Sequence, residues 1–223
     1  MRAPLAVCIG LCLAFSLIAC DSTTEEEQGA PLVPLAVGNG WMYVASLAPP
    51  YPPSPDTFSV EIVGQRTIIA DGNEREAFEQ IVRNDEGSLA PYRWLYGNEQ
   101  GGHYLYGGVT DTSVFVSRSR VARYPARRGD REAFERIAFG FQRGFYVLDK
   151  PTRTVTHTDT TIVVAGRPLR CYGYEFRYAT GDDTPDEFVR DFYAPGVGHV
   201  LQQIADLDGQ VRSQVKLLSY EIR

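Results

Sequence analysis

The chain holds few residues able to do covalent or metal chemistry, and their spacing limits what they can do. Only three histidines occur in 223 residues: His103, His157 and His199. None stands in an HxH, HxxxH or HExxH pattern, so no metal site and no cofactor are expected. His157 and Asp159 are two positions apart. On a strand that spacing turns both side chains to one face, where a carboxylate can orient an imidazole as a general base. No GxSxG elbow supplies a serine to match. No catalytic residue is assigned, and hydrolysis is a secondary expectation. Asp206-Leu207-Asp208-Gly209 begins like a calcium loop but lacks the closing glutamate, and reads as a hairpin turn. Gly196-Val197-Gly198 lacks the third glycine and the helix of a dinucleotide fingerprint, and also reads as a turn.

Binding chemistry is better represented. The chain has 13 tyrosines. Tyr92, Trp94 and Tyr96 alternate along one segment, and Tyr104 and Tyr106 along the next, across a glycine pair at 101–102. On strands, each set projects from a single face. Such rings build a core with hydroxyls at its rim, or a face that holds an apolar or sugar-like ligand or a partner protein. These five residues are the candidate ligand or partner face. Arg118, Arg120, Arg123, Arg127, Arg128 and Arg131 crowd one stretch. They suit ion pairs with the chain's carboxylates, or contact with anionic headgroups.

The elements that must position these residues are strands. Alternating or β-branched runs cover 57–63, 66–70, 114–121, 153–164, 169–178, 187–193, 199–206 and 211–222, with turn residues between them. Asp71-Gly72-Asn73 is a strong hairpin signal. Residues 74–83 fit a helical stripe as well as a strand, and their place after that turn makes them the return strand. Residues 133–141 suit a short helix or a strand. Ten or more short strands without long helical periodicity predict an all-β, mainly antiparallel domain: a sandwich, half-barrel or barrel, with few or no long helices.

The N-terminus carries its own chemistry. Arg2 precedes an apolar run over 5–18 that ends in Leu17-Ile18-Ala19-Cys20. The run is short for a bilayer span, and an acidic stretch follows at once. Leu17-Ile18-Ala19-Cys20 resembles the lipobox of bacterial lipoproteins. That resemblance implies that residues 1–19 are a cleaved signal peptide and that Cys20 is the lipid attachment site, carrying palmitate-type acyl groups. It implies a protein of the cell envelope, held to the inner or outer membrane and facing the periplasm or exterior. Residues 20–34 are then a lipidated tether and 35–223 a single β-rich domain. Loss of 1–19 removes one charge, Arg2, so the formal net charge of −6 becomes about −7. A mildly acidic chain is a poor nucleic-acid binder. Cys171 is the one thiol left in the domain, which excludes an internal disulfide.

Two further stretches resemble uncharacterised bacterial lipoproteins: Gly38-Asn39-Gly40-Trp41-Met42-Tyr43, and Tyr193-Ala194-Pro195-Gly196-Val197-Gly198-His199-Val200, where His199 stands at a position usually aliphatic. The resemblance implies an exported β domain and no catalytic residues. The expected function is a membrane-anchored, non-catalytic binding or envelope-assembly domain, its partners the membrane and an envelope protein or apolar ligand. The alternatives are a carrier of lipid or another apolar ligand with a half-barrel cavity, and a periplasmic hydrolase.

Overall fold

The computed structural model describes residues 30–47, 56–140, 144–178 and 187–223. Cys20, residues 1–19 and most of the tether lie outside them. The described strands are β1 (Gly40–Leu47), β2 (Asp56–Ala70), β3 (Asn73–Asn84), β4 (Arg93–Glu99), β5 (Gly101–Val109), β6 (Val114–Tyr124), β7 (Arg131–Ala133), β8 (Arg136–Gly140), β9 (Gly144–Asp149), β10 (Thr152–Val164), β11 (Arg167–Tyr178), β12 (Glu187–Ala194), β13 (Gly198–Ala205) and β14 (Val211–Glu221). No helix occurs among the described residues. The fold is all-β, as the alternation predicts.

Twelve strands form one antiparallel sheet in the order β6-β5-β4-β3-β2-β1-β14-β13-β12-β11-β10-β7, and β8 and β9 form a separate hairpin. The long meander follows from local turn chemistry. Ala70 pairs with Asn73 across Asp71 and Gly72, whose φ values of 51° and 75° are those of the turn that matches strand twist. Residues 74–83 are accordingly a strand, paired with β2 over its length.

Neither a two-sheet sandwich nor a closed barrel results. A right-handed twist accumulated over so many strands curls the sheet. Its two edges, β6 and β7, come side by side without a backbone ladder. Side chains bridge them instead: Arg120 to Glu132 at 2.9 Å, and Arg123 to Asp130 at 3.7 Å. The Tyr174 hydroxyl adds a bond to the Arg123 carbonyl at 2.6 Å. Much of the sequence's arginine cluster is thus spent on ion pairs, and charged edges also deter pairing with other chains.

The main core lies inside the curl, around Trp41, Tyr43, Val60, Ile62, Tyr174, Tyr193, Val200 and Leu217. Residues 31–34, read from sequence as the end of the tether, already belong to the packed domain. Leu32 and Val33 are buried in this core, and the Pro31 carbonyl accepts the Gly196 N–H at 2.8 Å. The Ala194–Gly198 turn makes that seat. Gly198, at φ 103°, lets the chain pass against Val33 and the Trp41 indole, whose Nε1 donates to the Val197 carbonyl at 2.6 Å. Gly196-Val197-Gly198 therefore serves packing.

Candidate binding cavity

Inward-facing side chains leave a cavity of about 490 Å³ inside the curl. Every strand of the large sheet except β7 contributes to its wall. One side is aromatic: Trp41, Tyr43, Phe58, Trp94, Tyr96 and Tyr193. Tyr43 stacks on Phe58 with ring centres 5.3 Å apart, and Tyr96 lies parallel to His103 at 5.0 Å. Burial lowers the pKa of His103 to about 3, so this ring is neutral at physiological pH. Burial likewise raises the phenols of Tyr43, Tyr96 and Tyr193 well above their usual range, leaving them protonated.

A hairpin and an aromatic plug cover part of this wall. Phe145 of β9 packs edge-on to Trp94 at 5.1 Å and to Tyr92 at 5.6 Å, and Phe139 of β8 lies 4.5 Å from Tyr92. Gly108 makes room for Phe145, because a Cβ there would stand 2.1 Å from its ring. The structure therefore divides the five aromatic residues singled out in the sequence. Trp94 and Tyr96 line the cavity. Tyr92 packs under the β8–β9 hairpin. Tyr104 and Tyr106 turn to the other face of β5 and join Ile68, Ala77 and Leu95 in a separate core. Strand alternation explains this split. His103 and Leu105 of β5 point into the cavity, so Tyr104 and Tyr106 must point away.

Beside Tyr43 and Tyr193, whose rings lie 6.0 and 5.0 Å from His199, is a polar cluster whose assembly the sequence did not reveal: Arg153, Asp191, His199 and Gln202. Arg153 and Asp191 are each 4% exposed. The Arg153 guanidinium lies 3.9 Å above the Phe134 ring and 5.5 Å from the Phe176 ring. Its Nη2 is 3.6 Å from Asp191 Oδ2. Asp191 Oδ1 accepts from Gln202 Nε2 at 2.9 Å and lies 3.4 Å from His199 Nε2. Burial alone would raise the Asp191 pKa. The neighbouring His199, Arg153 and Gln202 outweigh it and hold the carboxyl below its usual range, so Asp191 is ionised.

Satisfaction in this cluster is incomplete. Arg153 Nε and Nη1 and His199 Nε2 are buried with no hydrogen-bond partner among the described residues. Each such group costs about 1–3 kcal/mol when left unpaired. Other charges on the wall are engaged. Glu135 accepts from Ser117 and Lys150, both at 2.6 Å, and Arg136 meets both oxygens of Asp149 at 2.5 Å.

His157 and Asp159 stand apart from this cavity. Both residues are exposed on β10 and neither lines a cavity. The His157 ring packs beside Phe192 at 5.9 Å, and its Nδ1 is 3.0 Å from the Thr156 hydroxyl. Breaks in register flank His157 on both sides, while exposure still alternates from His157 to Val163. Cys171 is fully buried, and burial pushes its thiol up to about 12, so it is an inert packing residue. No group of three or more metal-ligating side chains stands together among the described residues. The one hint of the polar cluster in the sequence is His199, the residue that departs from its motif. Arg153 and Asp191 carried no signal.

No protein-family model matches the chain, and no curated protein matches it in sequence. Among solved structures, a protein of Bacteroides fragilis described as exported, with a YmcC-like fold, superposes with a TM-score of 0.54 at 10% identity, over 86% of this chain and 99% of that one. A protein of Parabacteroides distasonis described as a lipoprotein gives 0.46 at 10% identity, over 86% and 99% of the two chains. At such identity the first likeness is one of fold: the curled sheet described above resembles the YmcC-like architecture.

Proposed function

We propose that this chain is a lipid-anchored, non-catalytic binding protein of the bacterial envelope that receives an apolar or amphiphilic molecule inside its curled sheet. The cavity carries this reading. Its volume of about 490 Å³ falls within the range of small-molecule sites, and its wall is mostly aromatic and aliphatic with a few convergent polar groups. The lipobox-like Leu17-Ile18-Ala19-Cys20 supports the anchor, and the fold shared with a protein described as exported is consistent with it. His157 and Asp159 are exposed on β10 and do not line this cavity.

Two experiments test the reading. Metabolic labelling with a palmitate analogue should mark the wild type and miss Cys20→Ala; labelling of the variant would refute the anchor. For the cavity, the Cys20→Ala chain is preferable, because it removes anchor acyl groups that would compete. It should enhance the fluorescence of N-phenyl-1-naphthylamine, and Leu105→Trp, which intrudes on the cavity wall, should abolish the enhancement. No enhancement with Cys20→Ala would overturn the binding function.

A further inference from the structure

We infer that Arg153 is the headgroup receptor of the cavity, and that the ligand is an amphiphile with a single anionic oxyacid group, carboxylate or phosphate, on an apolar chain. This rests on the cavity being a binding site.

The inference begins with donors. A guanidinium offers five N–H groups in a planar fork suited to two oxygens at once. In Arg153 Nη2 faces Asp191 at 3.6 Å, and Nε and Nη1 find no acceptor among the described residues. The residue is 4% exposed, and the rings beside it, Phe134 and Phe176, belong to the cavity wall. Contact of the cation with these rings favours its buried position.

The charged acceptors on the cavity wall are already committed. Asp191 Oδ1 takes Gln202 and faces His199. Glu132, opposite Arg153 in the β10–β7 ladder, lies off the cavity wall; its Oε2 meets Arg120 at 2.9 Å and its Oε1 has no partner among the described residues. Glu135 is held by Ser117 and Lys150. The Arg153 donors are thus the unfilled positive feature of the wall. A ligand oxyanion on the Nη1–Nη2 edge would give Nη1 the acceptor it lacks, beside the Nη2 that already faces Asp191. Its chain would then run along Trp41, Tyr43, Phe58, Trp94 and Tyr96, which offer apolar surface and no charge. A neutral apolar ligand would leave Arg153 unsatisfied, and a cationic one would meet it head-on.

The test compares ligands that differ only in the head: dodecanoate, dodecyl phosphate, dodecanol and dodecylamine, with inorganic phosphate as the head alone. Binding to the full chain carrying Cys20→Ala is followed by displacement of N-phenyl-1-naphthylamine. At least one anionic amphiphile should bind roughly ten- to hundredfold more tightly than dodecanol, and dodecylamine more weakly than dodecanol. Arg153→Gln should remove the anionic preference while dodecanol binding persists, which also shows that the variant is folded. Arg153→Lys should restore part of the preference. Equal binding of dodecanol and both anionic amphiphiles to the wild type would overturn the headgroup assignment and leave the cavity function standing. Inorganic phosphate binding as tightly as dodecyl phosphate would overturn the amphiphile. Failure of every ligand and of the probe would overturn both.

Discussion

Two arginine–carboxylate–aromatic assemblies in this molecule are built from the same parts and finished differently. Outside the cavity, Arg118 grips Glu99 through two bonds, Nε at 3.1 Å and Nη2 at 2.8 Å, while the Tyr106 hydroxyl donates to the same carboxylate at 2.5 Å. The Arg118 guanidinium lies 4.4 Å from the Tyr104 ring centre, and Arg120 donates to the Tyr104 hydroxyl at 2.9 Å. Inside the cavity, Arg153 meets Asp191 through Nη2 at 3.6 Å and leaves two donors unmet among the described residues. The better-satisfied assembly is also the wetter one: the Glu99 and Arg118 side chains are 14% and 27% exposed, against 6% and 5% for Asp191 and Arg153. Stability alone favours the reverse, because an unmade hydrogen bond costs most where water is excluded. Among the described residues the outer assembly has one unmet donor, Arg75 Nε at 3.6 Å from Glu99, beside a carboxylate that Arg118 and Tyr106 already hold. The inner one has the signature of a site that something else completes.

This contrast can be broken by measurement. The largest effect is expected for Asp191→Ala, which strips the buried Arg153 of its carboxylate and should cost about 3–5 kcal/mol in urea unfolding. If Asp191→Ala costs less than Glu99→Ala, the two assemblies have been ranked wrongly. Next comes Gly108→Ala. The new methyl would stand 2.1 Å from Phe145, so the β8–β9 hairpin must lift from Trp94. A loss of about 1–3 kcal/mol should accompany altered tryptophan fluorescence. Unchanged emission and stability would mean that the hairpin does not cover the aromatic wall.

Glu99→Gln should cost about 1–2 kcal/mol at neutral pH. Arg118 holds the Glu99 carboxyl below its ordinary range, so the folded state binds its proton less readily than the unfolded chain. The stabilisation from Glu99 is thus complete above the unfolded value of about 4.3 and disappears as pH falls through the lower folded value. Unfolding curves of wild type and Glu99→Gln should converge in acid and separate near neutrality. A gap independent of pH would assign the effect to packing. The smallest change is expected for Tyr104→Phe, which removes one acceptor of Arg120 and should cost about 0.5–1.5 kcal/mol without altering cavity binding. An effect on ligand affinity would show that the outer assembly communicates with the cavity.

Much of the architecture was legible because it is written in short-range chemistry. Asp71-Gly72-Asn73 names its turn, and that turn decides that residues 74–83 return as a strand despite their helical stripe. The aromatic cluster was visible too, but its division was not. Trp94 and Tyr96 reach the cavity while Tyr104 and Tyr106 leave it, because β5 presents His103 and Leu105 inward and pairs with β4 through a register shift at Leu95 and Tyr96. Pairing register moves a whole strand's side chains from one face to the other, and a single sequence does not state it.

Residue order by itself determined the strand content, the hairpin turns, the lipobox-like address at Cys20 and the absence of a local catalytic motif. All of these depend on neighbours a few positions apart. Tertiary structure decided that the sheet curls without closing, that its edges join through Arg120–Glu132 and Arg123–Asp130, and that Arg153, Asp191 and His199 meet around one cavity. Arg153 and Asp191 belong to β10 and β12, two strands apart in the sheet, and look like ordinary charges along the chain. Only the curl, set by twist summed over a dozen strands, turns them inward together and takes away the water that would have satisfied them.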